Sequence, residues 1–448
     1  MNLLRNPEFI RNAWLELTPQ RLLATPAILG LVFLVAYLIA PNGPQVPQVA
    51  LALFAALTIL WGAKLAGESI AEEFSQGTWD TQRLSGLSAW QMSAGKLFGG
   101  PIFAWFGGAI CALVLLAFTP AAGFGHALRT LSIAAGIAVT FHAIALMSNL
   151  MVLRKLPRQA TRPRTRGAML LLALLVVPQM ILALMRAPRW NDVQWYGHTF
   201  AALDFALLCT ALAVFWSVLG LYRAMRQELA FRDAPLAWIG FLLFLCAFSG
   251  GWFYGQGQKA PLLVDPGAPP VLRHLALCVA FIGGAAYALL FAERKDWLRL
   301  RRMTGLWRAG QRGRAFALMP KWLVTVALCA MAVLAFCAAA LLGQPVLDGI
   351  AESCTALALL ALLVRDAAIV LGLNFTPDQR RADAAAGIYV ALLYLLLPAL
   401  LRGLKLGVAL PAVWPLLVVH QPVWLVACLF QAAAALEFAL LRWRKLPT

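Results

Sequence analysis

The sequence predicts an all-α polytopic membrane protein of about twelve transmembrane helices in two parallel six-helix repeats, preceded by an N-terminal interfacial amphipathic helix. Three observations carry that expectation. Of 448 residues, 62% are hydrophobic and 12% charged, whereas about a quarter of a soluble domain is charged. Runs of about 20 apolar residues, enough to cross about 30 Å of hydrocarbon, recur along the whole chain. The net charge of +18 is bunched into short loops, such as the one holding Arg154, Lys155, Arg158, Arg162, Arg164 and Arg166. Bunching of this kind is a topology signal, with basic loops kept in the cytoplasm. Membrane lipids are therefore expected partners and nucleic acid is not.

Residues 6–18 read as a surface helix. Asn6 can cap it, Pro7 suits the first helical position, and Glu8 complements the positive helix end. Ile10, Ala13, Trp14 and Leu17 follow an i, i+3, i+4, i+7 spacing opposite Arg11, Asn12 and Glu16, so the helix is expected to lie in the interface. Charges run through the first twenty residues with no isolated apolar core before a cleavage site, unlike a signal peptide.

Spans are expected at 22–40, 47–66, 97–118, 128–153, 168–186 and 199–222. A second set falls at 236–254, 273–293, 321–342, 350–373, 385–402 and 422–442. Loops after the second, fourth, sixth, eighth and tenth spans are basic, and most of the others carry few positive charges. Both termini are therefore expected in the cytoplasm, with the chain in a bacterial inner membrane. The Pro-interrupted apolar stretch 404–419 is expected to dip into the membrane where protein shields it.

A faint internal repeat divides the chain at 222/223. ELTPQRLLATPAILG, from Glu16 to Gly30, is echoed by ELAFRDAPLAWIGF, from Glu228 to Phe241. Each half then shows two spans, a cytoplasmic loop beginning Ala71-Glu72 or Ala292-Glu293, and two more spans. A basic turn (154–166 or 378–383) and a final pair follow. Both halves start inside, so the pseudo-axis runs along the membrane normal.

The loop 67–96 carries the most information. It reads Glu72-Glu73-Phe74-Ser75-Gln76-Gly77-Thr78-Trp79-Asp80 and continues to Gly95-Lys96. Mixed charge with Gly-Thr punctuation suits a short helix along the membrane surface, where Glu68, Glu72 and Glu73 can meet a basic partner; a merely solvated loop is the alternative. At these residues the sequence resembles the permease subunits of ABC-2 type transporters. Glu73, Gly77, Thr78, Asp80, Leu84, Gly95 and Lys96 fit the family pattern, Gly86 stands where the family usually has Pro, and the second-half loop 293–320 lacks both dipeptides. The resemblance implies two six-span domains around a pathway, with coupling helices fitting clefts in two copies of a separate ATPase subunit. It implies coupling roles for Glu72, Glu73, Gly77, Thr78, Asp80, Gly95 and Lys96, and sets Glu293, Arg301 and Arg302 in the corresponding loop. The chain is expected to bind no cofactor and not to be an enzyme, with ATP acting through the partner. A phosphate-binding loop GxxxxGK[ST] is absent, since Leu97 follows Gly95-Lys96 and Trp90 stands where the first Gly is needed.

His142 is the deepest ionisable residue. It is a candidate intramembrane polar site, with a helix-to-helix hydrogen bond as the alternative. Arg365 and Asp366 are expected to satisfy one another or the headgroups. Glycines 95, 99, 100, 107 and 108 are expected to permit close helix approach. The eight cysteines form no CxxC pair and read as small core residues, and the five histidines form no metal-spaced cluster.

The function expected is the membrane permease of an ATP-binding-cassette exporter. An ion-coupled secondary transporter of six-plus-six architecture is the alternative; it fits less well because the loop between spans two and three is long and paired central carboxylates are missing. A membrane-embedded lipid enzyme would need convergent histidines or carboxylates at one interface, and the histidines are dispersed.

Overall fold

The computed structural model describes residues 3–41, 44–155, 192–231, 234–254, 268–375, 382–413 and 422–446. The described chain is an all-α polytopic membrane protein. Among the described residues, nine helices are long and apolar enough to cross a membrane, with a tenth if one bent pair counts as a single span. The chain divides into two compact units. One is Met1–Val193 with Thr199–Asp233, and the other is Gln194–His198 with Ala234–Thr448.

The first unit opens with α1 (Pro7–Glu16) and the spans α2 (Pro19–Ile39) and α3 (Gln45–Ser75). The short surface helix α4 (Trp79–Leu84) follows. Then come the bent pair α5 (Ala89–Gly99) and α6 (Ile102–Ala117), α7 (Phe124–Lys155) and α8 (Ala202–Glu228). A two-stranded hairpin of Val193–Trp195 and His198–Phe200 precedes α8, with Gln194–His198 counted in the second unit. Leu29 and Phe33 of α2, Ala50 and Phe54 of α3, Cys111 of α6 and Ala134 of α7 form one core. Along the lipid-exposed side of α2, Leu23, Leu31, Leu38 and Ile39 stay uncovered. Burial of apolar side chains only toward neighbouring helices is what hydrocarbon solvent permits.

The second unit contains α9 (Leu236–Gly250), α10 (Pro270–Ala292), and two loop helices, α11 (Trp297–Arg308) and α12 (Arg312–Ala317). The spans α13 (Lys321–Gly343), α14 (Val346–Asn374), α15 (Ala384–Gly403) and α16 (Pro422–Arg444) follow. Its largest core joins Ile282, Ala286 and Leu290 of α10 to Trp322 and Leu328 of α13 and Leu363 of α14.

Most expected spans fall on these helices, and three need comment. The expected single span at 97–118 is broken: α5 and α6 meet at 52°, where Pro101 lacks an amide to continue the ladder and Gly95–Gly99 widens into a π-helical turn. The expected span 236–254 stops at Gly250. Its 15 residues reach about 22 Å, short of the hydrocarbon thickness. The expected span 168–186 lies outside the described residues, as do 156–166, most of 256–270, 376–381 and 414–419. Of the stretch expected to dip into the membrane, Gly407–Ala412 is a 3-10 turn.

Candidate functional site

The loop 67–96 and α1 form one charged cluster in the first unit. Asn6 caps α1 by accepting from the Glu8 amide at 3.0 Å, and Pro7 occupies the first helical position. The orientation of α1 inverts that of a helix on a soluble protein. Asn6, Glu8 and Asn12 are buried, while Ile10 and Leu15 are exposed and Trp14 is 86% exposed. The polar face turns inward to the protein and the apolar face outward, as a helix at a lipid interface requires.

The inward face rests on the π-helical turn Gly95–Gly99. A Cβ at Gly95 would lie 2.6 Å from the Glu8 side chain, and one at Gly99 would lie 3.0 Å from Asn12 Cβ. Only glycine admits α1 this closely. Between the two glycines Lys96 is fully buried. Its Nζ pairs with Glu8 Oε1 at 3.0 Å and with Glu73 Oε2, and it lies 5.5 Å from the centre of the Trp79 ring. Arg11 completes the set, reaching Glu8 Oε1 at 3.1 Å and Glu73 Oε1. Two carboxylates thus face two cations, so no buried charge is left uncompensated.

Short hydrogen bonds extend the cluster to the surface helix. Gln82 Nε2 donates to Glu73 Oε1 at 2.6 Å, and the Thr78 amide donates to the Glu73 carbonyl at 2.9 Å. Trp79 is buried beneath α4. Gly77 and Gly86, at φ of +73° and +75°, bracket the helix in a conformation that L side chains rarely adopt. Proline, locked near φ −65°, cannot form the turn at Gly86. The outer face of α4 is open: Asp80 is exposed and Leu84 is 86% exposed. Arg83 ties the helix down by bonding Asp80 at 3.3 Å and the Glu228 carbonyl of α8 at 2.9 Å.

The residues grouped as coupling candidates therefore separate into two sets. Glu72, Gly77, Thr78 and Asp80 are exposed and can meet a partner. Glu73, Gly95 and Lys96 are buried and cannot, because α1 covers them. Sequence reasoning missed Glu8, Arg11 and Asn12 as members of the cluster. An acid and a base on the polar face of an interfacial helix were the available signal, but their partners lie many tens of residues away.

His142 of α7 sits elsewhere in the first unit. Its Nε2 donates to the Thr58 carbonyl of α3 at 2.8 Å, within the wide turn Ala56–Trp61. This is a helix-to-helix hydrogen bond.

In the second unit Glu293 Oε2 accepts from the Trp322 amide at 3.1 Å and so caps α13. Arg301 lies 5.4 Å from the Trp297 ring centre and 5.7 Å from that of Trp443, and donates to the Leu446 carbonyl at 3.1 Å. Both are structural ties. Arg302 is exposed. Arg365 and Asp366 do satisfy one another, at 2.9 Å. No family model, curated protein or solved structure matches the chain.

Proposed function

We propose that this chain is the membrane-spanning permease of an ATP-binding-cassette exporter of the ABC-2 kind. It crosses the membrane twelve times as two fused six-span halves, with both termini in the cytoplasm of a bacterial inner membrane. Two copies of a separate ATPase subunit drive it. The supporting observation is the linkage from α4 to span three. An exposed short helix is joined through Trp79, Gln82 and Glu73 to Lys96, at the one place where α5 and α6 break by 52°. A push on α4 is delivered to a bend rather than to a straight span, and a broken helix yields more readily than a continuous one. The buried charges keep α1, α3, α4 and α5 in one register, since separating them would expose unpaired ions to a low-dielectric interior.

The chain, tagged and purified from membranes of its own host, should bring down an ATPase carrying a phosphate-binding loop, at two copies per chain. Asp80→Lys with Glu72→Lys should weaken that association without altering the stability of the chain. If the purified chain alone moves substrate in liposomes on an ion gradient without ATP, it is a secondary transporter and the reading fails.

A further inference from the structure

The basic helix α11 packs across the ends of the spans of the second unit. Its Leu300 and Met303 share one core with Leu289 and Leu290 of α10, Trp322 of α13 and Leu446 just beyond α16. Arg301 lies against the Trp297 and Trp443 rings and bonds the Leu446 carbonyl at 3.1 Å, fastening the end of α16 to α11. We infer that α11 and the end of α16 form one docking surface for the headgroups of anionic phospholipids. Such docking requires neither ATP nor a partner subunit, and so goes beyond the permease reading.

Charge identifies the occupant. Residues 297–320 hold six arginines and no Asp or Glu, and residues 438–448 hold Arg442, Arg444 and Lys445 and again neither acid. The tie through Arg301 brings these two cationic runs, far apart in the chain, to one place. Arg302, Arg308, Arg312, Arg442, Arg444 and Lys445 are all exposed. The acids that precede α11 are engaged with backbone. Asp296 caps it through the Leu298 and Arg299 amides at 3.0 and 3.3 Å, and Glu293 accepts from the Trp322 amide at 3.1 Å. The first unit is arranged differently: there carboxylates hold Arg11, Arg21, Lys64, Arg83 and Lys96.

Depth selects a lipid over a soluble anion or an acidic protein. A helix packed across span ends lies at the level of the headgroups. Trp297, Trp307, Trp322 and Trp443 belong to these same elements, as aromatic residues do at a membrane surface. Leu298 and Trp307 are 60% and 52% exposed, apolar groups that a lipid interface accepts beside arginines. Arg302 and Arg308 stand about 9 Å apart along the axis of α11. Gly305 is midway between them, and a Cβ there would meet nothing within 4 Å. That gap admits a phosphate between two guanidinium groups, whose planar forks suit paired hydrogen bonds to its oxygens. A cationic cluster of this size on an amphipathic helix beside a span attracts anionic lipid.

The test delipidates the full chain in dodecyl maltoside and counts bound dioleoyl phosphatidylglycerol or dioleoyl phosphatidylcholine by native mass spectrometry. Phosphatidylglycerol should bind about thirtyfold or more tighter than phosphatidylcholine. Arg302→Gln with Arg308→Gln should weaken phosphatidylglycerol about tenfold or more and leave phosphatidylcholine unchanged, whereas Arg302→Lys with Arg308→Lys should stay within about threefold of the native chain. In nanodiscs, replacing phosphatidylcholine by phosphatidylglycerol should slow hydrogen exchange over Trp297–Arg308 and leave α7 unchanged. Glycerol 3-phosphate and a glutamate hexapeptide, each in excess, should not displace the lipid. Displacement by the first makes this a site for soluble phosphate and displacement by the second a protein-docking surface; either overturns the inference. Equal binding of the two lipids also overturns it, as does native affinity for phosphatidylglycerol in the double glutamine variant. The lipid comparison uses the unaltered chain and decides the question even if a variant fails to fold.

Discussion

Lys96→Met keeps the length of the side chain and removes its charge, leaving Glu8 and Glu73 facing each other with Arg11 alone to balance them. Breaking a buried ion pair by deleting one partner costs about 3–5 kcal/mol. Here the lower end applies, because Arg11, 41% exposed at its side chain, still reaches both carboxylates. A loss of about 3 kcal/mol at about 1.4 kcal/mol per decade is roughly a hundredfold shift in the docking equilibrium of α1. Hydrogen exchange of the α1 amides in nanodiscs reads that shift directly, since α1 is held by the cluster and not by a long helix of its own. Protection over Pro7–Glu16 should fall by about two decades while that of α7 stays unchanged. The companion variant, Lys96→Met with Glu8→Met, removes one charge of each sign and leaves Arg11 with Glu73. It should recover protection to within about 1 kcal/mol of the native chain, as apolar replacement of a buried pair is nearly neutral. If the single variant exchanges like the native chain, or the double variant no better than the single, the charges do not hold α1.

Four further outcomes are expected. Gly95→Leu should release α1 as Lys96→Met does, by steric exclusion, and limited proteolysis between α1 and α2 would report it. Gly86→Ala should cost about 1–2 kcal/mol in thermal unfolding, the penalty of a left-handed residue, whereas Gly305→Ala in α11, where nothing lies within 4 Å, should not destabilise. Arg301→Ala should cost about 1–3 kcal/mol through the lost carbonyl bond and ring contacts and speed exchange at the end of α16, while Arg302→Ala should leave both unchanged. Cysteines introduced at Arg302 and Leu347 should label from opposite sides of the membrane, Leu347 from outside; labelling of Arg302 from outside and Leu347 from inside would reverse the topology, and labelling of both from one side would remove α13 as a crossing.

The membrane class was legible because the bilayer imposes a length and a composition on every span. The cap of α1 was equally legible, since Asn6 and Pro7 act within one turn. What escaped was long-range pairing. Glu73 and Lys96 read as loop charges seeking a partner, because the sequence does not say that α1 folds back to cover them. The break between α5 and α6 was hidden for a different reason: Pro101 stands inside an apolar run, and hydropathy averages over a kink. His142 offered two readings of equal chemistry, and the wide turn at Thr58 that receives its hydrogen bond has no sequence signature. The tie made by Arg301 was invisible because Trp443 and Leu446 lie near the far end of the chain. Gly95 and Gly99 were legible as sites of close approach, but their visitor was not a neighbouring span.

The salt link between Glu8 and Lys96 joins residues 88 positions apart, and that interval sets an order of events during synthesis. At about 5–20 residues per second, roughly 5–20 s pass between the two being made. For that interval α1 exists without the turn that receives it. Its Trp14 face can float on the bilayer, yet Glu8 waits without its lysine until span three is in place. Made before its partner, α1 is therefore late to settle. A chain whose third span stalls during insertion would show it at the opposite end of the sequence, as a loose N-terminus open to proteases.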